Sequence, residues 1–296
     1  MRPSLDTVDH WLFGPEPAGR VRTTRLLLAA LLGVRVALGP YRGLAEQPAS
    51  LFRPVWFLSW LDPMPPVEVI AAVQLVGAAA AVLAVIGWRQ RGTFLVAWTS
   101  LLFLAGLRAS RGKILHNDVL LLLVAAVFVF APVGLRIADR RRSASWGWPV
   151  RTALVVVAGA YFLTGFQKLV ASGPAWVLSD NLRNVMYRAP LSGQAPTDAV
   201  ALFIADHPAL AHLVALGTLT VELGFVAVLF WSRGRPWFVL AAATLHGGIY
   251  LTHGLDYSMW VATVAVVLID WQPLAAKVLR IRPGRRWSPA MGAVPP

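Results

Sequence analysis

Cysteine is absent from the 296 residues, which excludes disulfides, thiolate catalysis, Cys-ligated zinc and iron–sulfur clusters. Charge is scarce as well: charged residues make up 14% of the chain against 57% hydrophobic ones. With a mean hydropathy of +0.62, that balance lies outside the range of ordinary soluble domains. Acids are the scarcer sign, 14 against 27 Lys and Arg, for a net charge of +13. Such an excess suggests nucleic acid, but the basic residues fall in short clusters between apolar runs and form no continuous face. Topogenic charge explains them, and no nucleic-acid partner is expected. No glycine-rich nucleotide loop opens a helix after a strand, and no HxxxH or HExxH spacing occurs. Nucleotide chemistry and a metal centre are therefore not expected. The first residues, MRPSLDTVDHWLFGPEPAGRVRTTR, are polar and acid-bearing, unlike a cleaved signal peptide.

What the chain has instead is long apolar runs, over residues 24–40, 67–88, 92–107, 117–135, 149–170, 209–231, 236–253 and 257–271. Each is of the order needed to cross a hydrocarbon core of roughly 30 Å. The expected fold is an all-α polytopic membrane helical bundle of about eight transmembrane helices, the first, third and last short enough to tilt or re-enter. The arginine bias sets the orientation. One side holds Arg20, Arg22, Arg25, Arg89, Arg91, Arg136, Arg140 to Arg142, Arg233, Arg235, Lys277, Arg280, Arg282, Arg285 and Arg286. The other holds Arg42, Arg53, Arg108, Arg111, Lys113, Arg183 and Arg188. Both termini are thus expected to be cytoplasmic in a multi-pass protein of the cell membrane. Residues 1–23 are expected to form a cytoplasmic segment, 24–271 the membrane domain, and 272–296 a basic tail whose composition after Arg282 suggests disorder.

Two outer connections are too long and aromatic for simple turns. In residues 41–66, Trp56, Phe57 and Trp60 stand at helical spacing, which suggests a helix lying in the interface or an aromatic belt near a helix end. Residues 171–208, with Trp176, Asp180, Arg183 and Tyr187, suggest a cap over the outer mouth.

Ionisable groups then gather in the outer half of the bundle. His116, Asn117 and Asp118 open the fourth apolar run; Lys168 closes the fifth; Glu222 lies deep in the sixth; His246 precedes His253, Asp256 and Tyr257 at the end of the seventh. Each such residue costs about 3 kcal/mol at the bilayer centre on insertion scales and is tolerated when it faces a cavity or a partner. Their convergence predicts a cavity. Structural roles stand beside functional ones: Asp118 as a helix N-cap, Glu222 paired with Arg35, and His246 as an interhelical hydrogen-bonding residue. Lys168 has two readings. It snorkels to the headgroups, or it sits where desolvation disfavours an ammonium and leaves an amine free to act as a base.

Tyr161 to Leu169, YFLTGFQKL, followed by Trp176, resembles the core of the HTTM membrane domain, known best from vitamin K-dependent γ-glutamyl carboxylase. ILHNDVLLLL, TVELGFVAVLF and LHGGIYLTHGLDYSMW resemble further segments of that domain, and together the likeness covers most of 108–270. The order around His116 and Asn117 differs from the family's asparagine–histidine pair. The resemblance implies Lys168 as the base that deprotonates a reduced quinone of the vitamin K or menaquinol type. It implies His116 and His246 as groups orienting the cofactor, and Asn117, Trp176, Glu222, His253 and Tyr257 as cofactor-binding neighbours. It also implies a lyase-type carboxylation in which the cofactor carries the difficult step. A soluble region of the kind that engages the carboxylase's propeptide substrate is not expected after the last apolar run, and recognition of a peptide is then expected to fall to a partner. Short HTTM proteins are similar to membrane proteins of sporulation-delaying toxin maturation, which implies an alternative role as a non-catalytic maturation or binding subunit alongside membrane lipid. A small-solute transporter is a third class, expected to show inverted repeats or helices broken at the midplane.

Overall fold

Proline, glycine and buried arginine decide where the apolar runs become helix and where they stop. The computed structural model describes residues 5–111 and 116–279. Its α-helices are α1 (Leu5–Leu12), α2 (Ala18–Leu38), α3 (Val67–Ile86), α4 (Gln90–Ala109), α5 (Val119–Phe130), α6 (Ala144–Ser172), α7 (Ala175–Leu178), α8 (Asn181–Arg188), α9 (Ala199–Asp206), α10 (Pro208–Gly224), α11 (Arg235–His253), α12 (Ser258–Leu268) and α13 (Gln272–Val278). A short antiparallel ribbon pairs β1 (Glu16–Pro17) with β2 (Arg142–Ser143). Lys113 and the tail beyond residue 279 lie outside the described residues.

Every one of the eight apolar runs contains a helix, but not every helix is a membrane span by length and composition. Val67–Ile86, Gln90–Ala109, Ala144–Ser172 and Pro208–Leu229 are long and apolar enough, and Ser258–Leu268 with Gln272–Val278 makes a fifth if that pair, bent by 95°, counts as one. The chain is therefore an all-helical membrane protein with four to five candidate spans, where composition led to an expectation of eight. The physical reasons differ from helix to helix. The fourth run, expected to reach residue 135, ends at Phe130 because Pro132 disfavours helical backbone just before it. This leaves α5 at 12 residues, about 18 Å long. The eighth breaks after Leu268 and restarts with Pro273 in the first turn of α13. Helix α2 carries Arg20, Arg22, Arg25 and Arg35, too many charges for an ordinary span.

Those arginines are accommodated by specific partners. Arg25, 2% exposed, donates to the carbonyls of Phe128, Ala131 (2.7 Å) and Pro132 (3.1 Å). It thereby satisfies acceptors that the end of α5 leaves open. Arg25→Met should lower stability by roughly 2 kcal/mol or more, since it strands these buried carbonyls. Thermal unfolding in lipid nanodiscs checks this, and an unchanged midpoint would contradict it.

Helices α2, α3, α4 and α5 build the main core, with Leu28, Leu32, Ile70, Phe94, Leu101, Leu104, Leu120 and Phe128 essentially fully buried. Large apolar side chains such as Leu75, Leu163, Phe230 and Leu240 face outward from α3, α6, the end of Pro208–Leu229 and α11, as lipid contact requires. Residues 41–66 do not form the interfacial helix suggested by their aromatic spacing. They hold only 3-10 turns at Arg42–Leu44, Ala49–Leu51 and Trp56–Leu58, because Pro48, Pro54, Pro63, Pro65 and Pro66 interrupt any longer helix. Trp56 and Trp60 project outward, 86% and 71% exposed, while Phe52 and Leu58 anchor the segment in the core.

Residues 175–206 fold into the helices α7, α8 and α9, with their own small apolar cluster of Met186, Ala189, Ala201 and Ala205. Arg183 ties α8 to α9 by donating to the Ala205 carbonyl at 3.0 Å, and the Tyr187 hydroxyl donates to Asp206 at 2.8 Å. This segment reaches the end of α11, where Gln194 backs directly onto Gly254. Gly254 has φ +66 and closes α11 in the left-handed conformation that favours glycine.

Candidate functional site

Spacing in the segment 161–168 explains how the site is assembled. Tyr161, Gly165 and Lys168 are separated by four and then three residues, so α6 presents them on one face. That face packs on α10 and its continuation. Gly165 allows the close approach: a Cβ there would lie 2.9 Å from the Glu222 Cβ. Gly165→Val should therefore separate α6 from α10 and cost about 1–3 kcal/mol. Calorimetric or fluorescence-detected melting of the purified variant reads this directly, and wild-type behaviour would contradict it.

Above Gly165 the Lys168 ammonium donates to both carboxylate oxygens of Glu222, at 2.5 Å to Oε2. It also lies 5.2 Å from the centre of the Trp176 ring in α7, within cation–π range. The side chains are 20% and 8% exposed. Lys168 thus turns into the helix interface and does not extend along the lipid-facing surface. The expected pairing of Glu222 with Arg35 is incorrect, because rotation of α10 points Glu222 at α6. Arg35 belongs to another element pair: its Nε and Nη2 donate to the two Asp118 oxygens at 2.5 and 3.0 Å. Asp118 in turn is not a side-chain cap of α5; its carboxylate is taken by Arg35, with Arg108 at 3.8 Å.

Below Gly165 lies an aromatic cluster. Tyr161 stacks on Phe225 with ring centres 3.8 Å apart, and its hydroxyl is 2.9 Å from His246 Nε2. Tyr257 packs 4.8 Å from His246, and Trp260 lies 5.9 Å from it. His116 is exposed at the edge, 6.0 Å from Tyr257. Two donors or acceptors inside this cluster, His246 Nδ1 and Trp260 Nε1, are buried without a hydrogen-bond partner among the described residues. Buried polar atoms are normally satisfied, so these two stand out within the packed rings of the cluster.

The predicted site residues therefore divide into groups. Lys168, Glu222 and Trp176 form one; His246 and Tyr257, with His116 alongside, form a second. Tyr161 and Lys168 are seven residues apart, about 10 Å along α6, so Lys168 does not touch His246. Asn117 stands apart from both and donates through Nδ2 to the Asp256 carbonyl. His253 bonds its neighbour Thr252 at 2.7 Å and joins neither group. Tyr161, Phe225 and Trp260 were not singled out from the sequence. The signal was present for Tyr161, which shares the face of Gly165 and Lys168; for Phe225 and Trp260 only the packing reveals it. Among the described residues, no three His, Cys, Asp or Glu side chains gather in a metal-binding group.

Fold and site together define a polytopic α-helical membrane protein with an ion pair and an aromatic–imidazole cluster sharing one helix face. Comparison with protein-family models, with curated proteins and with solved structures finds no match.

Proposed function

We propose that the chain is an HTTM-like integral membrane enzyme that uses a lipid-soluble quinone, resembling vitamin K-dependent carboxylase, with Lys168 as its base. The observation that carries this reading is the Lys168–Glu222 pair on the α6 face that also bears Tyr161, whose hydroxyl lies 2.9 Å from His246 of α11. The ionised pair and the neutral pair carry the same net charge, so a proton can pass between Lys168 and Glu222 without changing the net charge buried in a medium of low dielectric. Glu222 positions the amine and holds the proton that Lys168 must give up before accepting another. Tyr161, His246, Tyr257 and Trp260 are the residues that would hold the ring of a quinol. When bound, the quinol supplies the strong-base chemistry that no side chain reaches. Tyr161 fixes the His246 ring through Nε2 and leaves Nδ1 to orient an oxygen, while Phe225 and Trp176 exclude water.

In the same reading the eight helices all cross the cell membrane, the short α5 and α12 by local thinning of the bilayer. Both termini are cytoplasmic by the arginine bias, and a peptide or a partner maturation subunit meets the cap of α7 to α9. Exposed Leu178 and Leu191 on that cap favour such a partner and support the non-catalytic alternative as a second reading. The transporter alternative gains little from the 95° bend between α12 and α13. Gln272 at this bend donates to the Ile137 carbonyl, beside the ribbon of β1 and β2.

A photoreactive menaquinone analogue tests the location of the ring. Labelling should concentrate in the peptides bearing Tyr161, Tyr257 or Trp260 and be competed by menaquinone. Labelling spread over the lipid-facing Leu163 and Phe166 alone would contradict the proposal.

A further inference from the structure

A second, independent feature lies at the same end of the bundle as the cap. A cavity of about 500 Å³ is lined by Arg35, Arg108, Arg111, Asn117, Gln194 and Asp256, among others, a volume typical of small-molecule sites. Five separate stretches of chain supply this wall: the end of α2, the end of α4, the approach to α5, the cap and the connection from α11 to α12.

Its charge is unbalanced. Asp118 and Asp256 are the acids that face the three guanidiniums, and both are engaged. Asp118 takes two hydrogen bonds from Arg35, and the Asp256 carboxylate accepts from the Ser258 amide at 2.8 Å. Arg108 comes no closer than 3.8 Å to Asp118. Among the described residues neither Arg108 nor Arg111 donates a hydrogen bond, although each guanidinium carries five N–H donors. Arg35 and Arg108 stand in the last turns of α2 and α4, where carbonyl dipoles offset part of their charge. Arg111 lies beyond α4, outside that help.

We propose that this cavity binds the anionic group of a small ligand, a carboxylate or a phosphate, through Arg108 and Arg111, with Arg35 held in place behind them by Asp118. Planar forked donors suit such an oxyanion. The cavity adjoins the aromatic cluster, since Asp256 in its wall precedes Tyr257, which packs on His246. A ligand anchored by its anionic end would thus place its remainder toward Tyr161 and His246. The site stands whether or not a quinone binds there.

Full-length protein in phosphatidylcholine nanodiscs would be titrated with inorganic phosphate and with succinate, and separately reconstituted with phosphatidylglycerol, while thermal unfolding is followed. At least one probe should raise the melting temperature, and Arg111→Gln, at an exposed position, should raise its half-saturating concentration about tenfold. Stabilisation by phosphate or succinate identifies a soluble ligand; stabilisation by phosphatidylglycerol alone, dependent on Arg111, identifies a lipid headgroup. No effect of any probe on the wild type, or equal effects in Arg111→Gln, overturns the proposal. The readout needs no quinone, so its failure is distinct from failure of the enzymatic reading.

Discussion

Lys168→Ala is expected to reduce quinol turnover by about 10²- to 10⁴-fold, the range that a positioned general base contributes. The substitution also strands Glu222 in the interface between α6 and α10, so lost activity alone would not separate a base from a structural staple. Replacing both partners does separate them. A buried ion pair exchanged for apolar residues of similar volume is often neutral for stability, whereas removal of one partner is costly. The double variant Lys168→Met with Glu222→Met should therefore melt near the wild type and still be inactive. Recovery of turnover in the double variant would show that Lys168 serves only to hold the helices together.

Asp118→Asn should be the most destabilising single change considered, by about 3–5 kcal/mol, the cost of leaving a buried charge without its counter-ion. Arg35 donates twice to this carboxylate from within α2, its side chain 13% exposed. It also packs 5.8 Å from the Tyr41 ring, which is fully buried, and its remaining open side is the cavity it shares with Arg108 and Arg111. Arg108 loses its nearest acid in the same step. Adding Arg35→Met to Asp118→Leu should restore most of the stability. Urea or thermal unfolding in nanodiscs measures both, and a near-neutral Asp118→Asn would mean that the pair carries little of the fold.

The sequence made the helices legible because apolar runs punctuated by arginine clusters leave few alternatives to a helical bundle. Their ends were less so. Pro132 stops α5 and the break after Leu268 stops α12, both inside runs whose hydropathy continues. In residues 41–66 the aromatic spacing pointed to a helix, yet five prolines outweighed it. Which ionisable groups meet was the least legible, since that depends on how each helix is rotated about its axis. Glu222 faces Lys168 and Arg35 faces Asp118, although composition allowed Glu222 and Arg35 to pair. The gathering of polar residues toward one end led to an expected cavity around Lys168, Glu222 and His246, and none of these three lines the cavity that is present. Its walls turned out to be Arg35, Arg108 and Arg111 with Asn117, while Lys168 and His246 are packed into helix interfaces beside it.

The most direct measurement of the central claim is oxygen-dependent formation of quinone epoxide from reduced menaquinone by membranes containing the full-length protein. Membranes containing the wild-type protein should form epoxide above the level of membranes lacking it, with the excess abolished in Lys168→Ala and strongly reduced in His246→Leu. Absence of epoxide in the wild type, or production that survives Lys168→Ala unchanged, would contradict the claim.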